Sequence, residues 1–145
     1  MILITFIVLL VLFQTKHFLV DFVIQLRRKD GMEKFNRTGW VWPLAKHAGD
    51  HAIFSGIIAV STLWFFGVGL QTIVLWTAIC FFTDFAIHFT MDRIKASPNL
   101  WGRYKDMNNA PYWMCLGLDQ AVHHLTHYAL IAMIIIQTGI LKLPQ

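Results

Sequence analysis

Every histidine of this 145-residue chain, seven in all, and five of its eight acids fall into four short polar rows. His17, Asp21 and Gln25 stand at i, i+4 and i+8, with Gln14 on the same helical face. His47, Asp50, His51 and Ser55 share a second face. Asp84, His88 and Asp92 repeat the i, i+4, i+8 row, and Lys95 joins it. The stretch from Leu118 to His127 carries Asp119, Gln120, His123, His124 and His127 within roughly 160° of one helical face.

Imidazole and carboxylate without a cysteine ligand suit Zn²⁺, Mn²⁺ or Fe, and zinc is favoured. Spacing of i, i+4 lets two side chains of one helix reach one ion, as in the helical His pair of zincins. Up to a dozen candidate ligands exceed the needs of one tetrahedral ion. Two ions would use them, as would one ion backed by Asp–His partners. Two ions roughly 3.5–4 Å apart suit hydrolysis of phosphate esters or amides. The expected ligands are His17, Asp21, His51, Asp84, His88, Asp92, Asp119, His123 and His127. Asp50 and His124 are candidates for moving protons. His47, Gln25 and Gln120 would stand behind the ligands and orient them or water. Lys46 and Lys95 would meet an anionic head group, or else act as ordinary interfacial anchors. Lys16 is either a snorkelling cation or the partner of a carboxylate such as Asp84.

Four apolar segments must position these rows, at about residues 2–26, 43–66, 71–95 and 111–141. Each is long enough for a helix to cross a hydrocarbon core of ~30 Å. Pro43 and Pro111 suit first helical turns, and Gly67-Val-Gly69 suits a tight connection. Hydrophobic residues make up 57% of the chain, which is too apolar for an ordinary soluble domain and indicates a single all-α membrane domain over residues 1–145. Cys80 and Cys115 lie in apolar surroundings and read as packed thiols. The N-terminus lacks a basic region and a cleavage site, so the first segment reads as a retained span.

The net charge of +4 is concentrated in two loops. Arg27, Arg28, Lys29, Lys34, Arg37 and Lys46 mark the first; Arg93, Lys95, Arg103 and Lys105 mark the third. This distribution sets topology and gives no reason to expect a nucleic-acid partner. The positive-inside rule places both loops in the cytoplasm and both termini on the outer side. Trp40, Trp42, Trp101, Tyr104, Tyr112 and Trp113 form the aromatic belt beside the basic loops, with Trp64 and Trp76 at the other interface. In this topology all four polar rows come to the cytoplasmic half of the bilayer. Ionisable groups at that depth are costly and face a protein interior or a wet cavity.

The combination of Lys16-His-Phe-Leu-Val-Asp-Phe-Val-Ile-Gln25, His47…His51, Asp84-Phe-Ala-Ile-His-Phe-Thr-Met-Asp-Arg-Ile-Lys95 and Leu118-Asp-Gln-Ala-Val-His-His-Leu-Thr-His127 resembles a bacterial and phage membrane family known as domain of unknown function 3307. The resemblance implies a multi-pass protein of the bacterial inner membrane and supplies no activity. A more distant similarity, carried by His88-Phe-Thr-Met-Asp92, is to the membrane-bound metal-dependent hydrolases. The chain lacks the His-Arg-x-x-x-His segment seen in that group, so no catalytic residue is carried over.

The expected function is therefore a membrane-embedded metal-dependent hydrolase acting on a lipid-linked or phosphorylated substrate from the cytoplasmic leaflet. One alternative is a non-enzymatic scaffold, or a phage–host interaction protein, held by an Asp–His network. Another is transport of a divalent metal or protons, against which the nearly uncharged outer halves of all four segments weigh. Haem is unattractive because nearly every histidine has an acidic neighbour. The sequence leaves the oligomeric state open.

Overall fold

A computed structural model describes residues 1–29 and 32–140, and among them the regular structure is helical throughout. The first long helix begins as α1 (Ile2–Phe18), passes through a π-helical stretch (Leu19–Ile24) and ends in the short α2 (Gln25–Arg27). A 3₁₀ turn (Glu33–Phe35) lies in the following loop. Then come α3 (Val41–Phe65), α4 (Leu70–Ala96), a second 3₁₀ turn (Trp101–Arg103) and α5 (Ala110–Gln137). Each helix lies within a few residues of its expected span, and Leu141, the expected end of the last, falls outside the described residues.

The α3–α4 connection is a Schellman turn. Val68 N–H donates to Leu63 C=O at 3.1 Å and Gly67 N–H to Trp64 C=O at 3.0 Å. Gly67 takes φ 68°, a conformation that costs a glycine little. Val68 then packs on the core that contains Leu63, the apolar contact that accompanies this cap. The resulting hairpin is the tightest pairing in the bundle, and α5 closes the ring by packing on both α4 and α1. Ala48, Ala52, Gly56 and Ala59 are buried along α3. Side chains this small let helix backbones approach closely where lipid supplies no hydrophobic drive.

The bundle has two unlike halves. Leu9, Phe13, Ile58, Ala59, Leu63, Ile73, Cys80, Leu130, Ile131, Ile134 and Ile135 form one apolar core. The opposite half buries Lys16, Lys34, His17, His47, His51, Asp84, His88, Asp92, Asp119, His123 and His127. Outward faces are apolar, with Phe65 81% exposed and Leu3 68%. This inside-out arrangement fits a lipid surround. Three helical spans, Ile2–Arg27, Val41–Phe65 and Leu70–Arg103, are long and apolar enough to cross a membrane. The 28-residue α5 is equally long, but its polar face lowers its hydropathy.

Candidate metal centre

The four polar rows converge. His17 on α1 packs its ring against those of His51, His88, His123, His124 and His127, with centroids 5.3–5.9 Å apart. His51 from α3 stacks on His88 from α4 at 3.7 Å, and His88 stacks on His123 from α5 at 4.1 Å. Three helices thus contribute to one column of imidazoles, which the helical spacing alone does not specify.

Asp84, Asp92 and Asp119 each sit between a lysine on one side and histidines on the other. Lys16 donates to Asp84 Oδ2, to Ser55 Oγ at 2.9 Å and to His51 C=O at 3.2 Å. Ser55 also donates to Asp84 Oδ2 at 2.9 Å. This settles Lys16 as the partner of Asp84. Lys34 donates to Asp92 Oδ2 at 3.0 Å and Gln25 Oε1 at 2.8 Å. Lys95 donates to Asp119 Oδ2 at 2.6 Å. Asp21 differs: its ionic contacts among the described residues are to His17, His47 and His51, at 3.3, 3.1 and 3.0 Å.

The ring nitrogens test whether a metal fits. All seven histidines have at least one buried ring nitrogen without a hydrogen-bond partner, and His127 has two. An unpaired buried polar atom costs about 1–3 kcal/mol, so a network held by hydrogen bonds alone would be poorly satisfied. His47 Nε2 lies 3.1 Å from Asp21 and 3.0 Å from Asp92, in close electrostatic contact with both. His88 shows the arrangement expected of a ligand. Its Nδ1 lies 3.0 Å from the Asp84 backbone carbonyl, which can only accept, so Nδ1 carries the proton. In the neutral ring Nε2 then holds a lone pair, and it is buried without a partner.

Four groups bring ligand atoms within 4.8 Å of one another: His17–His88–His127, His17–Asp21–His51, His51–Asp84–His88 and Asp92–Asp119–His123. Every expected ligand belongs to at least one. The first is the best formed. It draws on α1, α4 and α5, and His17 Nδ1, His88 Nε2 and both nitrogens of His127 lack partners. Three imidazoles drawn from three helices are a donor set that zinc accepts.

The other expected site residues lie around these groups. His47 reaches Asp21 and Asp92 without joining a group. Gln120 contacts His17 Nε2 at 3.2 Å and donates to Asp119 at 3.0 Å, consistent with an orienting role. His124 rests against His17 and His127. Asp50 pairs with Arg28 at 2.8 Å and enters none of the groups. Gln25 turns to Lys34 and does not continue the His17–Asp21 row. The π-helical stretch between them lengthens the repeat to i→i+5, and Gln25 reaches the site through Lys34, bordering the same cleft as Asp21. Lys46 packs over the Trp42 ring at 5.6 Å.

Lys34 is the residue that sequence patterning misses. It is 3% exposed although it belongs to a loop. With Lys95, Gln25, Gln120 and Asp21 it borders a cleft of about 280 Å³ that reaches the polar core. No helical period marks a loop residue, so only its charge could have drawn attention. A neighbouring pocket of about 400 Å³ shares Phe35, Lys95 and Leu116 with the cleft and adds Trp101, Tyr104 and Tyr112.

No family model, curated protein or solved structure matches the chain.

Proposed function

We propose that all four long helices cross the bacterial inner membrane, with the basic loops in the cytoplasm and both termini outside, and that the polar half is a metal-dependent hydrolytic centre. The observation that carries this reading is the His17–His88–His127 group, with three helices, three imidazoles and four unpartnered ring nitrogens. These side chains would hold one divalent ion, with zinc the first candidate. Such an ion supplies a bound water of pKa near ~7 and polarises an electrophilic oxygen. Asp84 Oδ1 lies 3.2 Å from His88 Nδ1 and 4.0 Å from His127 Nε2, so a carboxylate oxygen able to take a proton stands beside that group. Lys16 and Ser55 hold the other oxygen of Asp84 and fix its orientation. Gln120 steadies His17 from behind. The cleft at Lys34 and Lys95 would admit a lipid-linked or phosphorylated substrate from the cytoplasmic leaflet, with the aromatic pocket beside it accommodating apolar portions.

The scaffold reading draws on the lysine–carboxylate pairs, which satisfy one oxygen of Asp84, Asp92 and Asp119 without any ion. It leaves the ring nitrogens unaccounted for. Transport requires an ionic path through the second half of the bundle, where the core is wholly apolar.

The activity is tested in nanodiscs containing phosphorylated lipids, by phosphate release before and after chelation and metal restoration. The expected result is release that chelation stops, that zinc or manganese restores, and that His127→Gln abolishes. Release unaffected by both chelation and His127→Gln would contradict it.

A further inference from the structure

The Asp92–Asp119–His123 group is the one candidate ligand set among the described residues that shares no residue with His17–His88–His127. It is therefore the place where a second ion could bind without removing a ligand from the first. Stacking of His88 on His123 at 4.1 Å puts the two sets side by side. His123 turns Nε2 to this set, 3.6 Å from Asp92 Oδ1 and 3.3 Å from Asp119 Oδ1. That Asp119 Oδ1 belongs to a fully buried side chain and has no partner in hydrogen-bond geometry, which points to a ligand here.

The electrostatics of this set are unusual. Asp92 is paired with Lys34 and Asp119 with Lys95. Each pair sums to zero charge wherever its proton sits. A divalent ion entering this set would thus bring two uncompensated positive charges into a buried site, at a desolvation cost that pairing does not offset. An anion must accompany it. The same two lysines border the cleft, together with the amides of Gln25 and Gln120 and one carboxylate, Asp21, which His17, His47 and His51 face. Two ammonium groups, two amides and an adjacent cation favour a compact oxyanion with several acceptor oxygens.

We propose that the Asp92–Asp119–His123 set takes a second divalent ion only together with a phosphate-type oxyanion held in the cleft between Lys34 and Lys95. This rests on the metal reading of the first centre and names the substrate class for it. The oxyanion is a phosphate group, whether free or on a lipid head group. Because binding free energies are reciprocal, the ion tightens the phosphate by the same factor as the phosphate tightens the ion.

The test is equilibrium dialysis of the full chain against Mn²⁺, with bound metal measured by elemental analysis. It is run in detergent with and without inorganic phosphate, and in nanodiscs of phosphatidylcholine with and without phosphatidic acid. One ion is expected without phosphate. Two are expected with it, the second tightening by about tenfold or more. A gain with inorganic phosphate makes the free anion sufficient, whereas a gain confined to phosphatidic acid makes the lipid head group the source. In Lys34→Met and Lys95→Met, a carboxylate loses its cation and the second ion is expected to bind without phosphate. Two ions without any phosphate in the unaltered protein would overturn the inference alone. One ion under all four conditions would do the same. No ion under any condition would overturn both this inference and the hydrolytic reading.

Discussion

The two halves of this bundle are held by different physics. In the apolar half, Phe13, Leu63, Leu130, Ile131 and Ile134 are fully buried against one another and against Leu9 and Ile135. Lipid is as apolar as these side chains, so their contribution is close packing and not escape from solvent. In the polar half the same four helices bury six histidines and three aspartates, with Val20, Leu44, Ala48 and Ala52 as apolar filling. That half costs stability unless each charge and ring nitrogen finds a partner. The lesson is a division of labour in which one half positions the helices and the other uses the position. The small residues of α3 extend through both, so Ala48 and Ala52 flank the site while Ala59 belongs to the apolar core.

The largest expected effect separates the halves by charge. Lys16→Met strands Asp84 in a buried site and should cost about 3–5 kcal/mol in detergent-unfolding assays. The double change Lys16→Met/Asp84→Leu should recover most of that loss, because removing both members of a buried pair is far milder than removing one. Full stability of the single variant would mean that the polar half is wet and its ion pairs are weak. Next comes Leu130→Ala in the apolar half, with an expected loss of about 2–4 kcal/mol from the cavity it leaves. Metal content should be unchanged, since Leu130 belongs to the other half; a loss of metal would erase the division.

Metal addition sharpens the contrast from the other direction. At a hundredfold excess over its dissociation constant, an ion bound only by the folded state adds about 2.7 kcal/mol. The unaltered protein should show this gain in thermal unfolding and His88→Gln should not. A smaller effect is expected at the rim of the polar half. A Cβ at Gly102 would meet Ala96 C=O at 2.5 Å and Ser97 C=O at 2.7 Å. Gly102→Ala should therefore shift the Trp101–Arg103 turn and cost about 1–3 kcal/mol. Tryptophan fluorescence should report the movement of Trp101 while the apolar core stays intact.

The four helices and most of the site are legible in the chain because helical periodicity carries both. The rows of His17 and Asp21, of Asp84, His88 and Asp92, and of Asp119, His123 and His127 all reach the converging groups. The expected spans of α3 and α4 differ from those observed by a residue or two. Legibility fails where periodicity does. Residues Leu19–Ile24 are π-helical, which shifts the phase between Asp21 and Gln25, and no glycine or proline in Leu-Val-Asp-Phe-Val-Ile announces the change. Lys34 reaches Asp92 from a loop, where no period exists to place it. Asp50 lies on the expected face of α3, but Arg28 from the preceding loop engages it. Which lysine pairs with which carboxylate depends on helix crossing and rotation, and spacing within one helix does not encode either.

The central claim is that the unpartnered imidazoles are metal ligands. Elemental analysis of the full chain, purified in detergent without a metal-binding tag, addresses it directly, alongside His88→Gln and His127→Gln. About one equivalent of zinc, manganese or iron is expected in the unaltered protein. Both variants should lose that metal while circular dichroism shows the helices intact. A well-folded, metal-free protein that takes up none of these ions on addition would contradict the account and make the polar half a hydrogen-bonded scaffold.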